Sequence, residues 1–479
     1  MNWSLSFASA MAVAGATVLG WSTSAEAQTY PAHVQRHLDA ATMNAMGDTD
    51  LINYIRRNQC FEVEDLTWRT WARSKDSIPV PLTQIFDDLW VVGTQYTAMY
   101  FLKTADNGVL LIDTLNNTVD ADKLIIPSLQ QLGLPLRGIY ITHGHLDHDG
   151  GVSRLRQVYG NNWPVYLGSG DMASKTYQPT GIDSNTDAVQ TVTIGGTSLY
   201  VQATPGHTPG NQISLIPVHH NGTRLQLVMN WRSAVPGSAA GSRQYVEGLE
   251  RVWRMIDQYG AVGTIHTHAV SDLTLPAIER IMATNDRTST PLVLGLERTK
   301  RAAVVARECA IARAVQIDAT AAWDIWRASK IEFMGGSPSP SQLVARVASA
   351  WGPITNQTVS FKAASGATCT ATTDQNGIAA CTSLPTLANR EKVVASYAGS
   401  TTESGYVDLA SSTEALASSL ACDIDNNGKV DRNDIGRITS VLGSTVPPGD
   451  QRDVDGDGKV TVSDARMCTV KCTQARCAP

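Results

Sequence analysis

The stretch YITHGHLDHDGG, Tyr140 to Gly151, sets three histidines and two aspartates into seven positions between strand-forming residues and a pair of glycines. The whole chain holds only ten histidines, so crowding of this kind calls for a chemical reason. A strand ending in Tyr140-Ile141-Thr142 presents His143 and His145 on the same side, because side chains alternate with period two. Asp147 and His148 follow where the chain curves away into a helix begun at Asp149-Gly150-Gly151, and can face a second cation beside the first. Neutral imidazoles and a carboxylate are borderline ligands that suit Zn²⁺ at roughly 2.0–2.2 Å.

Working outward, the runs LWVVGT, AMYFLKT and GVLLIDT read as three short strands of a meander. DADKLIIPSLQQLG has helical spacing of apolar residues and stops at Gly133. RGIYITHG is another strand and GVSRLRQVYG another helix. The plan then repeats: TSLYVQATPG, NQISLIPV and RLQLVMN are strands, VEGLERVWRMIDQYG a helix, VGTIHTH a strand and LPAIERIMA a closing helix. Two such blocks predict an α/β domain over 78–290, with two mixed sheets packed together and helices on the outer faces. Loops at one edge would carry the chemistry. TPGHTPGN places His207 in a tight turn after a strand, and TIHTHAVSD brings His266 and His268 to the end of another. His219 and His220, in PVHHNG, read as surface residues flanking a turn.

His-x-His-x-Asp-His followed by Gly-Gly, an upstream LLIDT, a downstream TPGHTPG and a late strand-end histidine together resemble the metallo-β-lactamase superfamily, over about Ile78 to Thr284. The resemblance implies an αββα sandwich with two Zn²⁺ at one edge. His143, His145 and His207 would hold the first zinc. Asp147, His148 and a late histidine would hold the second, with His268 the better alignment and His266 the alternative. Asp113, in LIDT, would orient a ligand histidine. Many hydrolases of this superfamily, glyoxalase II and several lactonases among them, bridge both metals with an aspartate where this chain has Asn230. That departure, and a second site without cysteine, make the chain similar to the third subclass of metallo-β-lactamases. The activity implied is attack on a carbonyl by a zinc-held hydroxide, with Asp147 orienting the nucleophile as well as binding metal. A small cyclic amide is the substrate implied first; a lactone, thioester or other ester is the alternative. A noncatalytic scaffold with a degenerate zinc domain is the rival from another class, and the complete set of ligand types argues against it.

The chain is 479 residues long, 43% hydrophobic and 17% charged, enough for several domains. A net charge of −6 leaves no broad basic surface, which excludes nucleic acid as a partner. Residues 1–27 read as an export signal, an apolar stretch closing on Ala25-Glu26-Ala27, although its first residues lack Lys or Arg. No later segment has the ~20 apolar residues of a membrane span. Export places the protein in the periplasm or outside the cell, where eight cysteines read as disulfides. Cys369 and Cys381 flank an expected hairpin at Asn376-Gly377, four more lie in the tail, and Cys60 and Cys309 remain to pair if the flanks of the central domain meet. Residues 28–77 are expected to be a helical extension, 291–334 a helical segment, 335–341 a linker, and 342–416 a small Ig-like β-sandwich acting as a spacer.

DIDNNGKVDRND at Asp423 and DVDGDGKVTVSD at Asp453 repeat the spacing of a Ca²⁺ loop, with oxygen side chains at positions one, three and five, Gly at six and a carboxylate at twelve. The ligands offered are Asp423, Asp425, Asn427 and Asp434, then Asp453, Asp455, Asp457 and Asp464, with Lys429 and Lys459 giving backbone carbonyls. Residues 421–479 thus resemble a dockerin module, which implies two Ca²⁺ and a cohesin-like protein partner. The tail CTVKCTQARCAP departs from that pattern, so calcium-dependent folding is the firmer expectation.

Overall fold

The computed structural model describes residues 29–231, 234–334, 342–382, 387–388, 391–417, 422–425, 427, 429–446, 450–455, 457–473 and 475–479. The expected signal at 1–27 and linker at 335–341 lie outside the described residues.

Alternation along the strands builds the central domain. A seven-stranded sheet runs in the order β1 (Pro79–Phe86), β2 (Leu89–Thr94), β3 (Ala98–Lys103), β4 (Val109–Ile112), β5 (Leu136–Tyr140), β6 (Val165–Gly168), β7 (Thr180–Ile182). Its first four strands are antiparallel and the pairings from β4 to β7 are parallel. The second sheet takes β8 (Gln190–Ile194), β9 (Thr197–Ala203), β10 (Gln212–His220), β11 (Thr223–Met229) and β12 (Gly263–Ile265) in reverse order, with only β11 and β12 parallel.

Tyr100, Leu102, Leu110 and Ile112 share a core with Leu199, Val201, Ile213 and Leu215 of the second sheet. Their neighbours Met99, Phe101, Val109 and Leu111 point the other way, onto Ile125, Leu129, Val152 and Leu155 of the outer helices. Burial on both faces explains why these strands read as unbroken apolar runs. The result is an α/β fold with two packed, mixed sheets.

The structure adds strands that the sequence pattern hides. β1 contains Pro79 and Pro81, which cannot donate to a ladder, and it lies at the sheet edge where that is tolerated. β7 and β8 are short and polar. The helix Ala239–Tyr259 begins well before its apolar periodicity, capped by Ser238, and stops at Gly260, whose φ is 67°.

Elements between Ala32 and Glu64 lie against the helix Leu296–Ile317. The helix Ala32–Asn44 packs there, with His37 Nδ1 2.6 Å from the buried carboxylate of Glu308, and a disulfide joins Cys60 to Cys309. The segment 291–334 is not helical throughout. The helix ends at Ile317, and Ile325–Arg327 and Ser329–Phe333 are strands; in the second, buried Ile331 and Phe333 alternate with exposed Lys330 and Glu332 at period two.

Beyond residue 342, two four-stranded sheets close on one apolar core containing Val347, Phe361 and Tyr397. The expected cysteine hairpin is absent. The strand Thr368–Thr372 joins one sheet and Ile378–Cys381 the other, so the Cys369–Cys381 disulfide ties the sheets together. In the tail, disulfides Cys422–Cys468 and Cys472–Cys477 bracket two short helices, Arg432–Thr439 and Val462–Thr469. Among the described residues no helix is long and apolar enough to cross a membrane.

Candidate metal centre

β5 delivers the histidine loop to the sheet edge, and the two glycines after it let the chain turn against its neighbour. A Cβ on Gly150 would lie 2.0 Å from the Asn116 carbonyl oxygen, and one on Gly151 would lie 2.5 Å from that of Thr114. No other residue type fits there, which explains the Gly-Gly pair.

Two groups of three side chains converge at this edge. His143, His145 and His207 bring their ligand atoms within 4.8 Å of one another, as do Asp147, His148 and His268. The groups adjoin: His143 Nε2 is 3.2 Å from His145 Nδ1, and the His143 and His148 ring centroids are 4.1 Å apart. His148 Nε2 lies 3.3 Å from His268 Nε2 and 3.7 Å from Asp147 Oδ2, which is 3.5 Å from His268 Nε2. His266, the alternative late histidine, stands outside both groups. Its Nδ1 accepts from the His268 backbone N–H, and its carbonyl accepts from the Tyr100 hydroxyl. His219 pairs with Asp88 at 2.6 Å on the exposed end of β10.

Asp113 is fully buried with φ 62°, a left-handed conformation that Asp tolerates better than most residues. Its carboxylate accepts from the Thr142 N–H at 2.8 Å, the Thr142 hydroxyl at 2.9 Å and His148 Nδ1 at 2.6 Å. The last contact fixes the His148 proton on Nδ1 and leaves Nε2 as the lone pair facing Asp147 and His268. Burial opposes a charge on His148, yet the carboxylates of Asp113, Asp147 and Asp149 together raise the imidazole above its ordinary pKa. Burial pushes His143 and His268 well below theirs, with the neighbouring histidines adding to the effect, and takes His207 down to about 4.

One positioning group carries no sequence signal. Asp171, in the turn after β6, accepts from the Gly144 N–H at 2.7 Å, the Thr208 hydroxyl at 2.6 Å and the Gly210 N–H at 2.9 Å. One carboxylate therefore ties the loop of His143 and His145 to the turn of His207. Lys175 adds a second tie, to the Gly144 carbonyl at 2.5 Å and to Asp149 at 2.6 Å.

Asn230 sits at φ 57° with its side chain committed to Thr267, accepting from the Thr267 N–H at 2.7 Å and donating to the Thr267 hydroxyl at 2.8 Å. It thereby holds the backbone between His266 and His268. The two groups open on a cleft of 310 Å³, whose far wall is Asn58, Phe61 and Trp68 of the N-terminal segment.

In the tail, Asp423, Asp425 and Asp434 form a further acidic group, and Asp453, Asp455 and Asp464 another, each within 4.8 Å. Asn427 and Asp457 curl back, their N–H groups donating to Asp423 and Asp453 at 3.0 and 3.1 Å. The N–H groups of Lys429 and Lys459 donate to the side chains of Asn427 and Asp457. Burial raises Asp434 above the usual carboxylate range, and Asp425 adds to the shift.

Residues 92–219 match the family model described as Metallo-beta-lactamase superfamily. A hydroxyacylglutathione hydrolase of Shewanella halifaxensis is 33% identical over 137 residues, which are 28% of this chain and 46% of that protein. The uncharacterized protein YobT of Bacillus subtilis is 34% identical over 126 residues, 23% of this chain and 53% of that protein. The chain spans about half the length of these curated relatives. Among solved structures, BJP-1, a subclass B3 metallo-beta-lactamase of Bradyrhizobium japonicum, is 21% identical with a TM-score of 0.38, covering 48% of this chain and 92% of that one.

Proposed function

We propose that this chain is an exported, metal-dependent hydrolase whose two His/Asp groups hold two Zn²⁺: His143, His145 and His207 one, Asp147, His148 and His268 the other. The convergence of these six side chains at one edge of the sheets carries the reading. Three imidazoles, or two imidazoles and a carboxylate, are donor sets that Zn²⁺ takes. The residues fit such an ion in detail. With the His148 proton held on Nδ1, its Nε2 lone pair faces His268 Nε2 at 3.3 Å, a contact that a cation between them relieves.

When bound, zinc would supply a Lewis acid that polarises a carbonyl and makes water acidic enough to ionise near neutral pH. The protein's own groups do the rest. Asp147, about a quarter exposed and facing the cleft, orients the attacking water by accepting its hydrogen bond. Asp113 and Asp171 hold the histidines in place, and the stacked rings of Phe61 and Trp68, 4.2 Å apart, keep water from one side of the cleft.

A small cyclic amide is the substrate read first. The engagement of Asn230 with Thr267 supports it, since that side chain is occupied where many esterases and thioesterases of the superfamily place a bridging aspartate. A thioester is the second reading, favoured by the relatives named hydroxyacylglutathione hydrolase. Four disulfides support export. The two acidic groups of the tail would take Ca²⁺, and the sandwich at 342–416, of Ig type, would serve as a spacer. The test is turnover of penicillins, carbapenems, homoserine lactones and thioesters by the zinc-loaded full chain and by the chelated protein. Zinc-dependent opening of a cyclic amide is expected; a folded, zinc-loaded protein inert toward the whole panel contradicts the reading.

A further inference from the structure

One part of the cleft wall comes from residues 58–73, outside the segment that matches the superfamily. This wall is fixed in place. Cys60 is disulfide-bonded to Cys309, the Gln59 side chain donates to the Ser271 carbonyl at 2.7 Å, and Trp68 Nε1 donates to Asn58 at 3.0 Å. Two guanidiniums four residues apart on the helix Trp68–Ser74, those of Arg69 and Arg73, line the same cleft. Arg69 is shared with Glu62, at 3.3 Å, and lies over the Phe61 ring. Arg73 is exposed and has no carboxylate partner among the described residues; its guanidinium stacks on Tyr96, 4.7 Å from the ring centroid. Tyr96 in turn packs on His268 with centroids 4.7 Å apart. One tyrosine ring therefore separates an unpaired cation from the metal group. Asp147 is the only carboxylate lining the cleft among the described residues, and it belongs to that group.

We infer that this wall is an anion subsite, in which Arg73, backed by Arg69, receives the carboxylate of a small substrate. The scissile carbonyl over the His/Asp groups rests on the hydrolase reading; the recognition of the anion does not. A guanidinium seated on an aromatic face is held flat while its outward N–H groups stay open for a planar carboxylate. A tyrosine-wide gap suits a molecule whose carboxylate is a few bonds from the bond to be broken.

The test is equilibrium binding of phenylacetate and phenylacetamide to the zinc-loaded full chain, followed by tryptophan fluorescence, in wild type, Arg73→Met and Arg73→Lys. Wild type should prefer the carboxylate by about tenfold, the size of one exposed charge-assisted contact. Arg73→Met should lose that preference while retaining zinc, and Arg73→Lys should keep part of it. An equal preference in wild type and Arg73→Met, or none in wild type, overturns the subsite. A protein that binds with this preference yet hydrolyses nothing would sink the hydrolase reading and leave the subsite standing.

Discussion

Replacing Asp113 by Asn changes one atom, and its effect follows from the three bonds the carboxylate accepts. Oδ1 takes the Thr142 N–H; Oδ2 takes both the Thr142 hydroxyl and His148 Nδ1–H. If the Asn carbonyl stays on the Thr142 N–H, its amide faces His148 Nδ1, and the imidazole must carry its proton on Nε2, the atom turned toward Asp147 and His268. If the amide flips, its NH₂ meets the buried Thr142 N–H donor to donor. The first arrangement spoils a ligand, and the second costs about 1–3 kcal/mol for an unmet buried polar group. Loss of such an orienting partner typically weakens a metal site by about 10–100-fold. Competition with a chromogenic chelator should show this loss confined to one of two zincs. Far-ultraviolet circular dichroism should show the fold intact. Two zinc affinities within twofold of wild type, in a folded Asp113→Asn protein, would refute the reasoning.

Three other outcomes are expected. Asp171→Asn should weaken the zinc held by His143, His145 and His207 by about tenfold or more and spare the other, since Asp171 ties the first loop to the His207 turn; equal loss at both sites, seen by chelator competition, would contradict this. Converting Cys60 and Cys309 together to Ser should destabilise the central domain by about 2–5 kcal/mol, because the bond closes a loop of 249 residues; unchanged thermal melting would argue against it. Chelating calcium with EGTA should lower the melting temperature of the tail module, and Asp423→Ala with Asp453→Ala should reproduce that shift; a melt insensitive to both would remove calcium from the account.

How much of this was legible in the sequence depends on distance along the chain. His143, His145, Asp147 and His148 stand out together because they are consecutive on one loop. The alternation in AMYFLKT and GVLLIDT shows two packed faces because each strand samples both. Asp171 gives no such sign. It sits in GSGDMAS, a stretch with no period, and acquires meaning only when Gly144 and Gly210 fold onto it. The same holds for Phe61, Trp68 and Arg73, which read as part of a helical extension until Cys60 finds Cys309 and brings them over the cleft. Local pattern also misled. A cysteine pair around Asn-Gly suggests a hairpin, whereas the chain turns a corner there between two sheets. Helix-favouring alanines before residue 317 say nothing about where the alternation of Ile331 and Phe333 takes over.

The central claim, a pair of zinc ions caged by six side chains, is tested most directly by anomalous diffraction at the zinc edge from crystals of the full chain. The account predicts two peaks, one within bonding distance of His143, His145 and His207 and the other of Asp147, His148 and His268, at roughly 2.0–2.2 Å from each ligand atom. Crystals grown with zinc that show no peak at this edge of the sheets, or a single peak that leaves His207 or His268 unliganded, would contradict it.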